Sequence, residues 1–246
     1  MRGSQGEERS KRQERAHRIL DAAAELVLRW GYKKTTIDDI AKQAKVAKGT
    51  IYLHWKNRED LFMTLFLREA LVAGYEMFER MENDPEGFLF HNQTKHSIYV
   101  VKKRPLITAL YLGDGDILGE LLHSDHPMLM QLIQSKATAS DELFELMRSK
   151  GLIRTDMSIR TQRYAYTAII MGFLTVERYF PENLQAQYSI SLEESVDTLG
   201  RTIQGILGPD EAIPLSALQE IKILFTQFYQ QYLGVVKEQL QKEMDL

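Results

Sequence analysis

Apolar residues recur at helical spacing along most of this chain. The first such run, from Ile19 to Trp30, repeats every three or four residues and ends at Gly31, a residue typical of helix termini. The same spacing returns after residue 36, and all six prolines lie beyond residue 84, where each predicts a helix boundary. The pattern predicts an all-α protein, with later helices near residues 86–103, 105–112, 116–123, 127–150, 157–180, 190–207 and 214–243.

The segment from Ser97 to Val101 departs from this pattern. It is rich in β-branched and aromatic residues, a composition typical of strands. Because no other segment offers it a sheet partner, we predict a helix here as well.

Residues 36–60 predict two short helices joined by a tight turn, followed by the start of a third. Thr36 is positioned to cap the first of these helices, with Asp39 at the position of a capping box. The second helix begins at the pair Lys48-Gly49 and ends in an aromatic-histidine-aromatic cluster. This arrangement fits a helix-turn-helix whose second helix enters the major groove of DNA.

Local signals also define the surroundings of these two helices. One face of the first is apolar at helical spacing, and residues 43–46 cover the turn that follows it. Trp55 is predicted to be buried. Asn57 is positioned to cap the next helix, with Asp60 three residues later.

Charge is distributed unevenly along the chain. Residues 1–60 carry 14 Lys or Arg and 9 Asp or Glu, a net charge of +5, whereas residues 61–246 carry 17 and 25, a net charge of −8. A basic excess beside the helix-turn-helix is what binding to DNA phosphates requires; the alternative is a solvated basic tail. A further hypothesis is that Arg9, Lys11 and Arg12 lie on a flexible arm that enters the minor groove.

Composition argues against several classes of protein. The absence of cysteine excludes disulfides and thiolate chemistry. No apolar run approaches the ~20 residues that span a bilayer, and the polar amino terminus does not resemble a secretory signal. No glycine-rich phosphate loop, nucleophile elbow or strong metal motif is present. We therefore predict a cytoplasmic protein that is not an enzyme and has no cofactor.

The side chains of the helix-turn-helix suggest individual roles on DNA. Lys48 reaches guanine or a phosphate, Gly49 lets the backbone approach the duplex, and Thr50 offers a methyl group for thymine. Tyr52 and His54 donate to phosphates, although a core aromatic is the alternative for Tyr52 and a solvated lysine for Lys48. The predicted DNA-binding residues are Thr35, Thr36, Lys48, Gly49, Thr50, Tyr52, His54, Lys56 and Arg58.

We predict a DNA-binding domain at residues 1–62 and a larger helical domain at residues 63–246 that binds an effector and dimerises. Aromatic residues at helical spacing line pockets between bundled helices, although they more often form an ordinary core. Methionine suits a pliable pocket wall. The predicted ligand-binding residues are Phe88, His91, Tyr99, Tyr111, Met128, Tyr166 and Phe173. They indicate a small ligand that is largely apolar or aromatic.

Two histidines raise the question of a metal site. His123 and His126 are three residues apart with Asp125 between them, and zinc binds sets of two histidines and a carboxylate. Pro127 places His126 in a predicted turn, and no tight ligand set is evident. No metal is predicted.

Two late helices carry patterns typical of helix–helix interfaces. In residues 190–207 the apolar positions alternate in spacings of four and three, as in a coiled coil. In residues 157–180 small residues form a strip that another helix approaches closely. The predicted dimer-interface residues are Ala165, Ala168, Gly172, Leu192, Val196, Leu199, Ile203 and Ile206. Packing within one subunit is the alternative, and the helix after Pro214 is left open between its own subunit and a partner.

The order and spacing of motifs in residues 14–65 closely resemble the tetracycline-repressor (TetR) family. The residues that carry the resemblance are Gly31-Tyr32, Thr35-Thr36, Ile40-Ala41, the stretch from Lys48 to Trp55, and Arg58-Glu59-Asp60-Leu61. Leu53 stands where the family commonly has an aromatic residue, and Trp55 where phenylalanine is usual. The long helix after Pro214 exceeds the family's usual nine helices.

The resemblance implies a fold with an amino-terminal three-helix DNA-binding domain, and an obligate homodimer on a partly palindromic double-stranded operator. It also implies a small ligand in the carboxy-terminal domain, and a four-helix dimer bundle built from the helices near 157–180 and 190–207. We therefore expect a sequence-specific transcriptional regulator, a repressor that its ligand releases from the operator. The alternative is an architectural DNA-binding protein without an effector.

Overall fold

A computed structural model describes residues 2–123, 126–211 and 213–245 of this chain. Within these ranges the side chains of residues 2–6, 9, 122–123, 127–129, 131–133, 135–137, 139–140, 215–216 and 245 are not described. Every regular element in the described ranges is helical, which confirms the predicted all-α class. The helices are α1 (Arg2–Trp30), α2 (Ile37–Ala44), α3 (Lys48–Tyr52), α4 (Arg58–Glu82), α5 (Phe90–Lys103), α6 (Pro105–Leu112), α7 (Gly115–Leu118), α8 (Pro127–Ser149), α9 (Ile159–Thr175), α10 (Gln185–Tyr188), α11 (Leu192–Leu207) and α12 (Leu215–Asp245).

The chain divides into two compact units. The first comprises Met1–Val72, Pro105–Leu129 and Tyr232–Leu246, and the second comprises Ala73–Arg104 and Met130–Gln231. These units do not coincide with the expected division between residues 62 and 63. The difference arises because α6, α7 and the end of α12, all distant in sequence from the helix-turn-helix, cluster with it in space.

In the first unit, side-chain caps set the start of α2 as the sequence predicts. The Thr36 hydroxyl accepts from the Asp39 amide at 3.2 Å, while the Asp39 carboxylate accepts from the Thr36 amide at 3.2 Å. This reciprocal pair is a complete capping box. At the other end of the helix, Lys45 adopts the left-handed conformation with φ 55°. The turn to α3 therefore begins at Lys45, two residues later than predicted.

Gly31 separates α1 from a 3₁₀ turn at Tyr32–Lys34. Its φ of 75° lies in the left-handed region, and a Cβ there would lie 2.2 Å from the carbonyl oxygen of Asp116. Both facts require glycine at this position. Trp30, which the pattern placed on the inner stripe of α1, is instead 40% exposed.

The amino-terminal half of α4 lies at the centre of the first unit. All residues from Leu61 to Leu67 are buried, as expected of a helix surrounded by other elements. The indole Nε1 of Trp55 donates to the Thr64 hydroxyl at 2.9 Å. The prediction that Trp55 is buried is therefore confirmed.

In the second unit, α11 packs against α5 and α9. The strand-like segment Ser97–Val101 lies within α5, so the preference for helix is confirmed.

Two predicted helices are shorter than expected. The one predicted at 116–123 is a four-residue α7 followed by a 3₁₀ turn, and the one predicted at 157–180 ends at Thr175 before another 3₁₀ turn. No helix among the described residues is long and apolar enough to cross a membrane.

The last helix, α12, packs on its own chain. Ile221 and Phe225 are buried in the part that belongs to the second unit. Four further residues of its apolar face are buried in the part that belongs to the first unit: Leu233, Val236, Leu240 and Met244. This face is therefore occupied within one subunit.

Candidate nucleic-acid interface

The recognition helix α3 is held by its one buried side chain. Ile51 is 1% exposed, and no other residue of Lys48–Tyr52 is buried. Lys48, Gly49 and Tyr52 lie at the surface, with Thr50 half-buried. A short helix anchored by one apolar residue thus presents the rest of its side chains outward, as an element that reads DNA must.

Gly49 is not required by the fold. A Cβ added at this position would meet no described atom within 4 Å beyond its chain neighbours and the backbone of its own helix, and the backbone of Gly49 is that of an ordinary helix. Glycine in a helix costs about 0.5–1 kcal/mol relative to alanine. The absence of a side chain here therefore favours close approach by something outside the chain.

Lys48 pairs with Asp38 of α2 at 2.8 Å, and both side chains are at least half exposed. The hydrogen bond to Asp38 raises the pKa of Lys48. An exposed ion pair of this kind contributes little to stability. The Lys48 ammonium is therefore available to exchange its carboxylate for a phosphate or a guanine edge.

The structure leaves six of the predicted DNA-binding residues accessible in the first unit. Five are exposed and Thr50 is half-buried; the exposed ones are Thr36, Lys48, Gly49, Tyr52 and Lys56. Leu53, which the sequence did not single out as a contact, is 67% exposed at the end of α3. Leu53 has no polar side-chain atom, so the sequence gives no signal of a phosphate or base contact at this position.

Thr35 and Arg58 face inward, which corrects their predicted role. Thr35 is fully buried, and its hydroxyl donates to the Gly31 carbonyl at 2.9 Å. The Arg58 guanidinium lies 4.0 Å from the ring centre of Tyr32 and donates to the Thr35 carbonyl at 3.1 Å. The physical reason is that the turn after α1 leaves carbonyl groups without helical partners, and these two side chains bind them.

His54 also points into the protein rather than toward a phosphate. It is 3% exposed, its ring lies 5.2 Å from that of Trp55, and its Nε2 accepts a hydrogen bond from Arg15 at 3.3 Å. Burial lowers its pKa to about 4, with the charges of Arg12 and Arg15 adding to the effect. His54 is therefore neutral near pH 7, and its predicted role as a phosphate donor is wrong.

The buried His54 makes stability depend on pH. Its pKa is depressed below the ordinary 6.5 of an unfolded chain, so protons bind the unfolded state more tightly. The stabilisation is complete above 6.5 and is lost as pH falls toward about 4. We expect wild-type Tm to fall more than that of His54→Gln between roughly pH 7 and pH 5, measured by circular dichroism.

His17 supplies the control for this measurement, because it lies exposed on α1. His17→Gln is expected to retain the wild-type loss of stability. Equal losses in the wild type and His54→Gln would contradict a neutral, buried His54.

The basic residues at the start of the chain are not an extended arm. The backbone is helical from Arg2 onward, so the predicted flexible arm is wrong. The Arg12 Nη2 donates to the Leu53 carbonyl at 3.2 Å, and Arg15 bonds His54. Their spacing of three residues was the signal in the sequence that places both on one face of a helix.

The predicted ligand-binding residues are divided between the two units. Tyr111 lies in the first unit and the others with described side chains lie in the second; the side chain of Met128 lies outside the described residues. Phe88 packs on Phe78 and Phe225, and Tyr166 packs on Phe90 and Phe144. His91 and Phe173 are half-buried, and Tyr99 is buried.

Two open clefts lie elsewhere. One, of about 690 Å³, is in the first unit and includes Trp30, Lys33 and Asp116. The other, of about 550 Å³, is in the second unit and includes Glu82, Lys222 and Ile223. None of the predicted ligand-binding residues whose side chains are described lines either cleft. Mutual aromatic packing explains the difference, since helical spacing does not separate pocket walls from core.

The second unit contains buried polar groups that could contact a ligand. The Arg80 guanidinium lies 3.6 Å from the ring centre of Tyr99, and Lys103 approaches the same ring at 5.1 Å. The Arg80 Nε and the His96 Nδ1 are buried without a hydrogen-bond partner among the described residues. His96 Nε2 contacts Asp84 at 2.8 Å, and burial lowers the pKa of His96.

The histidine pair near residue 125 is not assembled as a metal site in the described part of the chain. The His126 Nε2 contacts the Asp60 carboxylate at 3.0 Å, while Asp125 and the side chain of His123 lie outside the described residues. Among the described residues, no group of three or more potential ligands is close enough to hold an ion.

The predicted dimer-interface residues of α9 and α11 differ in their exposure. Ala168 and Gly172 of α9 are exposed, Ala165 is half-buried, and a Cβ on Gly172 would meet nothing within 4 Å. In α11 the opposite holds for most of the seam: Val196, Leu199 and Ile203 are at most 2% exposed, whereas Leu192 is half-buried and Ile206 is 40% exposed.

The helix α11 packs against α5 and α9 of its own chain, and the buried part of its seam is covered within that chain. Val196, Leu199 and Ile203 are therefore unavailable to a partner, which corrects their assignment to the dimer interface. An apolar stripe at helical spacing has the same pattern whether it covers its own core or a second subunit.

Comparisons with known proteins agree with the geometry of this interface. Residues 19–65 match the family model described as bacterial regulatory proteins, tetR family. The fatty acid metabolism regulator protein of Bacillus subtilis is 47% identical over 66 residues, which are 27% of this chain and 32% of that protein. The HTH-type transcriptional regulator AcrR of Shigella flexneri is 36% identical over 178 residues, 70% of this chain and 81% of that protein.

One solved structure relates the fold to a regulator with a bound ligand. The transcriptional regulator FadR from Bacillus subtilis in complex with stearoyl-CoA has a TM-score of 0.55 and 21% identity. The match covers 76% of this chain and 96% of that one. At this identity the likeness concerns the fold, and the chain spans only about a third of the fatty acid metabolism regulator named above.

Proposed function

Because this chain belongs to the TetR family of bacterial regulatory proteins and is a DNA-binding transcriptional regulator, we propose that it is a homodimeric repressor that a small ligand releases from its operator. The observation that carries the proposal is the recognition helix, seated on Ile51 with Lys48 and Gly49 at its outer surface. A dimer places two such helices on a partly palindromic site.

The exposed face of α9 is the surface we propose for dimerisation. No charged residue occurs between Tyr164 and Val176, and Ala168 and Gly172 are exposed on this helix. Tyr164 is 78% exposed, a large apolar ring left in water in the single chain. Small residues allow a second helix to approach closely, and an uncharged strip incurs little desolvation cost.

For the effector, we propose a largely apolar molecule with an anionic group, bound in the second unit. Arg80, stacked on Tyr99 with a buried Nε that has no hydrogen-bond partner among the described residues, supplies a cation beside an apolar wall. Stearoyl-CoA, bound by the structural neighbour FadR, has this combination of apolar chain and anionic groups. It is one candidate among ligands of this class.

An architectural DNA-binding protein without an effector is the second candidate. The observation that favours it is the mutual packing of Phe90, Phe144 and Tyr166, in which Tyr166, a predicted pocket residue, packs against two other aromatic side chains. On either proposal the chain acts on DNA in the cytoplasm and catalyses no reaction.

Selection from a random-duplex library, followed by sequencing, tests the proposal. A dimeric regulator enriches palindromic sites with fixed half-site spacing, and the selected duplex then reports release by long-chain acyl-CoA. Salt-sensitive binding with no enriched sequence would instead support the architectural protein.

A further inference from the structure

We propose that Arg12 and Arg15 of α1 form a phosphate-binding pair beside the end of the recognition helix, and that His54 is a positioning residue that aims Arg15. The inference rests on the DNA-binding function, which it extends from α2 and α3 to the first helix. In this proposal Arg12 and Arg15 contact the phosphates from a helix. They do so in place of the predicted flexible arm and of a direct contact by His54.

Two hydrogen bonds join this pair to the end of α3. The Arg12 Nη2 donates to the carbonyl of Leu53 at 3.2 Å, and the Arg15 Nε donates to the Nε2 of His54 at 3.3 Å. Leu53 is the carboxy-terminal cap of α3. The two guanidinium groups are therefore held at the same end of the recognition helix, although they bond residues that lie 41 and 39 positions away in sequence.

Most donors of these two guanidinium groups have no protein partner among the described residues. An arginine has five N–H donors, and each of these uses one. Neither arginine forms an ion pair with a described carboxylate, whereas Lys11 on the same helix pairs with Glu7 at 2.8 Å. Both side chains are half-buried, so the positive charges are fixed in place rather than freely solvated.

The protonation of His54 follows from its bond to Arg15. A guanidinium only donates, so the Nε2 must carry the lone pair and the proton must lie on Nδ1. That Nδ1 is buried with no hydrogen-bond partner among the described residues. A buried unsatisfied donor is costly, and in this position the neutral ring provides the acceptor that orients Arg15.

Phosphate is the ligand that suits such a pair. Two cations three residues apart on one helix repel each other, and an anion between or beside them removes the repulsion. The free N–H groups have the planar fork that binds phosphate oxygens in pairs. A contact of this kind positions the protein on the duplex without reading its sequence.

The test measures the affinity for duplex DNA at several salt concentrations, for the full-length protein. Each lost phosphate contact lowers the magnitude of the slope of log K against log salt by about 0.9. We expect this reduction in Arg12→Gln and in Arg15→Gln, with weaker binding to cognate and unrelated duplexes alike. Arg18→Gln, an exposed arginine on the same helix, is the matched control and should retain the wild-type slope.

The role of His54 has its own pair of variants. His54→Phe removes the acceptor but keeps an aromatic ring, and it should reduce the slope as Arg15→Gln does. His54→Gln keeps an acceptor near the Nε2 position and should restore the wild-type slope. Adding His54→Phe to Arg15→Gln should cause no further change. Circular dichroism confirms that each variant remains folded at the temperature of the assay.

Unchanged slopes in Arg12→Gln and Arg15→Gln, with tight wild-type binding, would overturn the proposal. An unchanged slope in His54→Phe alone would overturn the positioning role. Failure of DNA binding as a function looks different, because the wild type itself would then show no salt-dependent affinity. Inorganic phosphate added at constant ionic strength distinguishes free phosphate from the DNA backbone, since a site for the free ion would be blocked.

Discussion

Ile203→Asp is expected to unfold the second unit rather than separate two folded subunits. Ile203 is fully buried in α11, which packs against α5 and α9 of its own chain. Aspartate there would lose the apolar contacts of isoleucine and place an unpaired carboxylate in the interior, so a loss of more than ~4 kcal/mol of unfolding free energy is expected. Thermal unfolding followed by circular dichroism measures the effect.

Ile206→Asp is the matched control. It makes the same chemical change three residues later on the same helix, where the side chain is 40% exposed. Its expected effect on unfolding is within about 1 kcal/mol, as for most surface changes. A folded but monomeric Ile203→Asp protein would contradict this expectation and would show that Ile203 lies in the dimer interface.

The features of the fold that depend on neighbours in sequence were predicted well. The capping box of Thr36 and Asp39 and the cap that Asn57 gives to α4 involve residues three apart, so their signals are complete within a few residues. The end of α1 at Gly31 is another such case, because the left-handed backbone itself favours glycine. The helix-turn-helix is defined by these local rules.

The features that depend on distant partners were not predictable in the same way. Arg58 donates to the backbone carbonyl of Thr35, 23 residues away in sequence, and Arg15 donates to His54, 39 residues away. The sequence of a DNA-binding motif is the same whether the polar atom of a threonine or histidine faces a DNA phosphate or a group inside the protein. Only the packing of α1, the following turn and α4 decides between the two.

The same limit applies to the effector domain and the α11 seam. Aromatic residues such as Phe88 and Tyr166 recur at helical spacing in a core and in a pocket alike, and the structure places both in aromatic clusters. Likewise, the period of Val196 and Ile203 is fixed by the helix, not by what covers it. Identifying the covering element required the contact of α11 with α5.

Gly49→Leu is expected to abolish operator binding while leaving the fold intact. The position is exposed, and an added Cβ meets no described atom within 4 Å outside its own helix. Leucine favours helix over glycine by about 0.8–1 kcal/mol, so the variant should be as stable as the wild type or slightly more stable. On DNA, by contrast, a leucine side chain occupies the space through which the backbone approaches the duplex. Affinity for the selected operator and Tm are measured on the same preparation.

Two further variants, Gly49→Ala and Gly234→Ala, serve as the graded change and the control for this prediction. Gly49→Ala adds only a methyl group and should weaken binding less than leucine does, which gives a graded series at one position. Gly234 lies in α12, and a Cβ there also meets nothing within 4 Å, so Gly234→Ala should gain stability with operator affinity unchanged. Wild-type affinity in Gly49→Leu would mean that the amino end of α3 does not approach the DNA. Specific recognition would then rest on Thr50, Tyr52 and the exposed Leu53, whose side chains extend further from the helix than the backbone at Gly49.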